Sequence, residues 1–172
     1  MERIAVARLM QSGDLPAVLD IQALCYDAAK LESHRSFLAK LEASPVTCFM
    51  AQIAEAPAGY LVAVPAEAGR PPPLHGEDYL VPSAAAALYL HDLAVHPEAR
   101  GAGVAAALIK AYFRAARRQG FRLACLTAVN GASRFWERYG FRAVADSGAD
   151  DMASDMTSYG AGAVYMSMRL DG

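Results

Sequence analysis

Arg100-Gly101-Ala102-Gly103, near the middle of the chain, has the composition of an anion cradle. It follows a mostly apolar run from Leu88 to Val95 that reads as a strand, and it precedes helical spacing that starts at Val104 and stops at Gly120. The first turn of a helix leaves N–H groups without partners, and aligned peptide dipoles make that end partly positive. Glycines let the backbone turn sharply and let a ligand approach with no Cβ in the way. Arg100 adds a permanent charge at the mouth of the turn. The amides of Gly101, Ala102, Gly103, Val104 and Ala105 are therefore placed for a phosphate or pyrophosphate.

Other phosphate loops fit less well. Gly101-Ala102-Gly103-Val104-Ala105-Ala106 matches a relaxed dinucleotide fingerprint, G-x-G-x-x-G/A. Yet His96 to Arg100 separate the strand from the first glycine, and the next strand ends at Val129-Asn130 instead of in an acid that would hold a ribose. No Lys-Ser/Thr pair follows the glycines, which excludes a Walker loop.

The strand before the turn carries the second candidate group. Tyr89, His91, Leu93 and Val95 share one face by period two. His91 is the histidine placed on that strand, and imidazole suits proton transfer near neutrality. The same position fits a core histidine held by hydrogen bonds, and both readings stand. Asp92 is expected on the opposite face, making a structural hydrogen bond, and His96 at the surface. Cys25, Cys48 and Cys125 are scattered in apolar settings and read as buried thiols in a reducing compartment; no metal site is expected. Cys125 has no histidine beside it and is not a nucleophile candidate.

These groups need a scaffold. Arg3 to Leu9 reads as an edge strand, and Ser12 to about Tyr26 as a helix with Pro16 in its first turn. A second helix is expected over Ser33 to Glu42, capped by Ser33, with Phe37, Leu38 and Leu41 inward. Thr47–Ala54 and Gly59–Val64 form a hairpin across Glu55 to Ala58. Pro65 to Ala87, with three consecutive prolines, reads as a long surface loop. Phe121–Val129 is a strand, Gly131–Gly140 a short helix, and Phe141–Ala145 and Ala163–Leu170 further strands. Asp146 to Tyr159 reads as a solvated acidic loop without the spacing of a calcium loop.

The 172 residues suit one domain, 1–172. A hydrophobic content of 55% argues against disorder, and a net charge of −2 gives no electrostatic case for nucleic acid. No apolar run is long enough for a membrane span, and MERIAVARLM is no secretory signal, so a cytoplasmic protein is expected.

Arg100, Gly103 and Ala105 form an Arg-x-x-Gly-x-Ala signature. With Leu93-Ala94-Val95 before it and Phe135-Trp136-Glu137-Arg138-Tyr139-Gly140-Phe141 after it, the chain resembles the GCN5-related N-acetyltransferase superfamily from Leu88 to Phe141. The resemblance implies an α/β fold: a mixed, mostly antiparallel sheet, helices on both faces, and central strands that splay apart. It implies acetyl-coenzyme A as co-substrate and direct attack by a primary amine on its thioester. The pantetheine arm would lie along Leu93, Ala94 and Val95, with the Val95 amide facing the thioester oxygen, and Asn130, Ser133, Phe135 and Trp136 would line the arm. Ser133 also fits a helix cap. The strand is similar to that of the arylalkylamine branch, where histidines at the positions of Tyr89 and His91 remove protons; only His91 survives here. A tyrosine that often acts as general acid is replaced by Trp136, and Tyr139 is expected in the core. The segment joining the first two helices would border the acceptor, but solvated helix ends are the favoured reading of Tyr26, Glu32 and His34. The long loop is placed over the acceptor side or away from it, the latter slightly ahead. A small amine is the expected acceptor, with a protein N-terminus or lysine, or a regulatory module that binds coenzyme without turnover, as alternatives. The resemblance leaves a homodimer open, and no residue pattern decides it.

Overall fold

The computed structural model describes residues 3–145 and 156–171. Seven strands, β1 (Ala5–Leu9), β2 (Cys48–Ile53), β3 (Ala56–Ala66), β4 (Ala87–Val95), β5 (Leu123–Ala128), β6 (Arg142–Ala143) and β7 (Val164–Arg169), form one sheet in the order β1-β2-β3-β4-β5-β7-β6. Every neighbouring pair is antiparallel except β4 and β5. The helices are α1 (Leu15–Cys25), α2 (His34–Ala43), α3 (Val104–Arg118) and α4 (Ser133–Glu137). The acidic cluster Asp146, Asp150, Asp151 and Asp155 lies outside the described residues.

The two faces of the sheet are covered by different helices. On one, α3 buries Val104, Leu108, Ile109, Tyr112 and Ala116 against Leu61, Ala63, Leu88, Leu90 and Leu126. On the other, α1 and α2 bury Leu15, Val18, Ile21, Phe37 and Leu41 against Met50, Tyr60 and Val62. Each large apolar side chain removed from water contributes about 1.5–3 kcal/mol, so these stripes hold the layers together. Gly59 sets how closely α3 approaches the sheet. A Cβ there would lie 2.7 Å from Val104 Cγ1 and 2.8 Å from Ala94 O, so only glycine fits. Ser33 caps α2 by accepting from the Ser36 N–H at 3.1 Å.

The hairpin turn is tighter than the sequence suggests. Ala54 and Glu55, with φ of 49° and 66°, make a two-residue connection, and Pro57 lies inside β3. It is tolerated beside a bulge, where Gln52 pairs with Pro57, Ala51 with Gly59, and Ala58 is left over.

A second bulge shapes the middle of the molecule. Val62 pairs with Asp92 and Ala63 with Leu90, so His91 is a surplus residue on β4. The expected sharing of one face by Tyr89, His91, Leu93 and Val95 is therefore wrong. Beyond the bulge the alternation inverts: Leu93 and Val95 join Leu88 and Leu90 against the α3 side, while Ala94 packs with Tyr60 and Val62. Asp92 also turns toward Tyr60 instead of the opposite face.

β4 and β5 then part. Their pairing runs only from Ala87–Leu123 to Leu90–Leu126, and beyond it a cleft opens between the strand ends. The His96 N–H donates to Ala58 O on β3, so by alternation the polar backbone groups of Leu93 and Val95 point away from β3 toward the opened side.

Candidate active site

The cleft between the parted strands encloses about 260 Å³. Leu90, Leu93, Leu126, Val129, Phe135 and Trp136 supply apolar walls, and Glu32, His91, Asp92 and Tyr159 supply polar groups. Leu74 adds a wall from the loop between β3 and β4, which therefore lies at the cleft; His75 N–H donates to Glu32 Oε1 at 3.1 Å and anchors it.

Two hydrogen-bond networks meet there. In the first, His91 Nε2 is 2.8 Å from Glu32 Oε2. Glu32 Oε1 accepts from Ser36 Oγ at 2.8 Å and from Lys40 Nζ at 3.3 Å. The Glu32 and Lys40 side chains are each 1% exposed, and that of His91 is fully covered. Burial would raise the Glu32 carboxyl, but His91, Lys40 and Ser36 outweigh it and hold the group well below the ordinary carboxylate range. On the other side of the imidazole, Nδ1 is 3.5 Å from Tyr159 Oη, which is 2.9 Å from Tyr89 Oη; Tyr89 Oη donates in turn to Thr127 Oγ1 at 2.7 Å. In the second network Asp92 accepts from Tyr60 Oη at 2.6 Å and from Tyr26 Oη at 2.9 Å. Burial, with Glu32 nearby, pushes the Asp92 carboxyl up to about 6 despite the tyrosine hydrogen bonds.

The glycine turn makes a second depression, lined by Val95, Arg100, Gly101, Gly103, Val104, Ala105 and Tyr139. Gly101 and Gly103 both have φ of +80°, and a Cβ on either would project into open space. Ala107 N–H is the first in α3 to reach a carbonyl, that of Gly103 at 3.0 Å. The amides of Val104, Ala105 and Ala106 have no carbonyl partner among the described residues. Leu93 O accepts from Tyr26 Oη and Val95 O from Cys25 Sγ, at 3.0 and 3.2 Å. The strand end between the two depressions is thus fixed from behind by the end of α1.

Of the residues singled out in the sequence, Leu93, Asn130, Phe135 and Trp136 line the cleft, with Asn130 at a φ of 54° where β5 ends. Val95, Arg100, Gly101, Gly103, Val104 and Ala105 line the turn. Ala94 is buried beneath the strand, and Ala102 and Ser133 line neither depression. Tyr89 is fully buried and reaches the cleft only through its partners Tyr159 and Thr127. Tyr139, expected in the core, packs on Phe135 and Trp136 but also borders the glycine turn. The reading of Tyr26 and Glu32 as solvated helix ends is overturned, whereas His34 is exposed. Glu32, Ser36 and Lys40 recur at four-residue steps beside Phe37 and Leu41, a polar stripe on an apolar face that signals this network. Among the described residues no group of three His, Cys, Asp or Glu is placed to hold a metal, and no helix is long and apolar enough to cross a membrane.

Solved structures share this architecture. A GNAT-like decarboxylase, GphF, in complex with isobutyryl-CoA is 19% identical at a TM-score of 0.73, over 96% of this chain and 99% of that one. The ribosomal-protein-S18-alanine N-acetyltransferase from Escherichia coli is 14% identical at 0.67, over 98% and 97%. Naa50 from Arabidopsis thaliana, in complex with the bisubstrate analogue CoA-Ac-MVNAL, is 12% identical at 0.66, over 96% and 99%. A comparison with curated proteins gives no significant match. The profile of the acetyltransferase (GNAT) family matches residues 15–141, which spans the helix α1, the bulged strand, the glycine turn and the Gly140-Phe141 ending. The chain belongs to the acetyltransferase (GNAT) family.

Proposed function

We propose that the chain transfers an acetyl group from acetyl-coenzyme A to a small primary amine. The observation that carries this reading is an anion-suited glycine turn beside a polar cleft, joined by the stretch Leu93 to Val95, which β5 leaves unpaired. The coenzyme supplies an activated thioester. The unpaired amides at the start of α3 and the Arg100 guanidinium suit its pyrophosphate. The N–H groups of Leu93 and Val95 suit the arm, and that of Val95 suits the thioester oxygen as charge grows on it. The small volume and the wall that Leu74 adds from the loop between β3 and β4 support a small acceptor over a protein segment.

An amine is charged at neutral pH and must lose a proton before attack. His91 takes it in this reading. Glu32 holds Nε2 and stabilises the imidazolium, Lys40 fixes Glu32, and Tyr159, steadied by Tyr89, links Nδ1 to the cleft. The indole of Trp136 does not titrate, so the thiolate departs without a protein acid; a thiol near 8.5 makes that tolerable. Release of free thiol from acetyl-coenzyme A with a panel of small amines and N-terminal peptides tests the proposal. Turnover with small amines is expected. Turnover with peptides alone would overturn the acceptor assignment, and tight coenzyme binding without any turnover would make the chain a binding module.

A further inference from the structure

Glu32, His91 and Asp92 all border the cleft, and their charges are not evenly matched. Glu32 has two basic partners, Lys40 and His91. Lys30, the lysine that lines the cleft, is 3.5 Å from Asp27. Asp92 has no lysine, arginine or histidine nitrogen within ion-pairing distance among the described residues. Its partners are two neutral phenols, Tyr26 on Oδ1 and Tyr60 on Oδ2. Each oxygen keeps a further lone pair, and the residue borders the cleft.

A carboxylate taken out of water without a cation is costly, and folded chains keep such a group where a ligand completes it. We propose that Asp92 is the counter-ion of the acceptor's ammonium group, so that the cleft selects charged amines over uncharged molecules of the same shape. The identity of the ligand as acceptor rests on the acetyl-transfer reading; the preference for a cation rests on the charge inventory. Tyr26 from the end of α1 and Tyr60 from β3 orient the carboxylate. Glu32 and Tyr159 line the same cleft and act on it electrostatically, Cys25 precedes Tyr26, and His91 precedes it on β4. Leu74, Leu93, Leu126 and Phe135 leave room for an apolar body behind the ammonium. Low local polarity strengthens the attraction.

Trp136 lines the same cleft and is the chain's one tryptophan, so its fluorescence reports occupancy directly. The full chain is titrated with 2-phenylethylamine and with 2-phenylethanol, and an Asp92→Asn variant is treated alike, with acetyl-coenzyme A affinity as a control. The expected result is an amine preference of about tenfold or more in the parent chain that vanishes in the variant. Equal affinities in the parent, or a preference that persists in Asp92→Asn, overturns the assignment. If the variant fails to fold, the parent decides alone. Amine affinity should weaken as pH falls through about 6, and a flat profile overturns it. A preference lost in the variant without acetyl transfer to any amine would defeat the acetyl-transfer reading and leave the counter-ion standing. Transfer with the preference intact in Asp92→Asn would do the reverse.

Discussion

His91 Nε2 and Glu32 Oε2 meet at 2.8 Å although they lie 59 residues apart and both side chains are removed from solvent. Glu32 also neutralises the buried Lys40. Glu32→Gln should therefore cost about 3–5 kcal/mol by leaving that lysine without its counter-charge. The pH dependence has a definite sign. The folded-state carboxyl titrates below its unfolded value of 4.5, so its stabilising contribution is present above that pH and is lost as pH falls. Urea unfolding between neutral and acid pH should show an acid limb that flattens in Glu32→Gln.

Removing the imidazole separates chemistry from binding. His91→Ala should lower kcat about a hundredfold or more while leaving acetyl-coenzyme A affinity nearly unchanged, because no residue of the Glu32 network lines the glycine turn. Steady-state rates and calorimetric titration check both halves. Full activity across pH would remove His91 from proton transfer.

Asp92 has the opposite linkage. Its folded-state value of about 6 exceeds the unfolded 3.8, so the stability tied to its protonated form is complete below 3.8 and lost as pH rises through about 6. Asp92→Asn should accordingly be as stable as the parent at neutral pH, or more so by roughly 1–3 kcal/mol. A thermal melt at pH 7.5 that shows a large loss would contradict this.

Gly103 precedes α3 at a φ of +80°, and a side chain there would project into open space instead of into the core. Gly103→Glu should thus cost the fold only about 1 kcal/mol of backbone strain while abolishing coenzyme binding through charge and bulk. Calorimetry showing unchanged affinity would remove the turn from coenzyme recognition.

Gly59 presents the contrary case. A Cβ would meet Ala94 O at 2.8 Å, and backbone does not yield as a side chain tip does. Gly59→Ala should destabilise by roughly 1–3 kcal/mol, read as a lowered denaturation midpoint, and should weaken coenzyme binding as the start of α3 is pushed away from β4.

Much of this was legible beforehand. The Val104–Arg118 helix, its glycine stop, the parted strands and the turn follow from period, caps and the family signature, which are local. Where reading failed, the cause was a contact between distant segments. Period two cannot reveal that β4 holds one residue more than β3, so Asp92 was assigned to the wrong face. Tyr26 and Glu32 looked like solvated helix ends because their partners, Asp92, His91 and Lys40, are supplied by tertiary packing. Pro57 reads as part of the hairpin connection, yet it lies inside β3, where a bulge accommodates it.

The surplus residue on β4 has an evolutionary corollary. Because the strand makes room for one extra amino acid, His91 and Asp92 both border the same chamber although they are consecutive in the chain, the imidazole from behind its wall. Two adjacent codons therefore encode both the proton-handling and the charge-recognising functions proposed here, and a lineage could trade acceptors by rewriting that dipeptide without disturbing the coenzyme-facing turn.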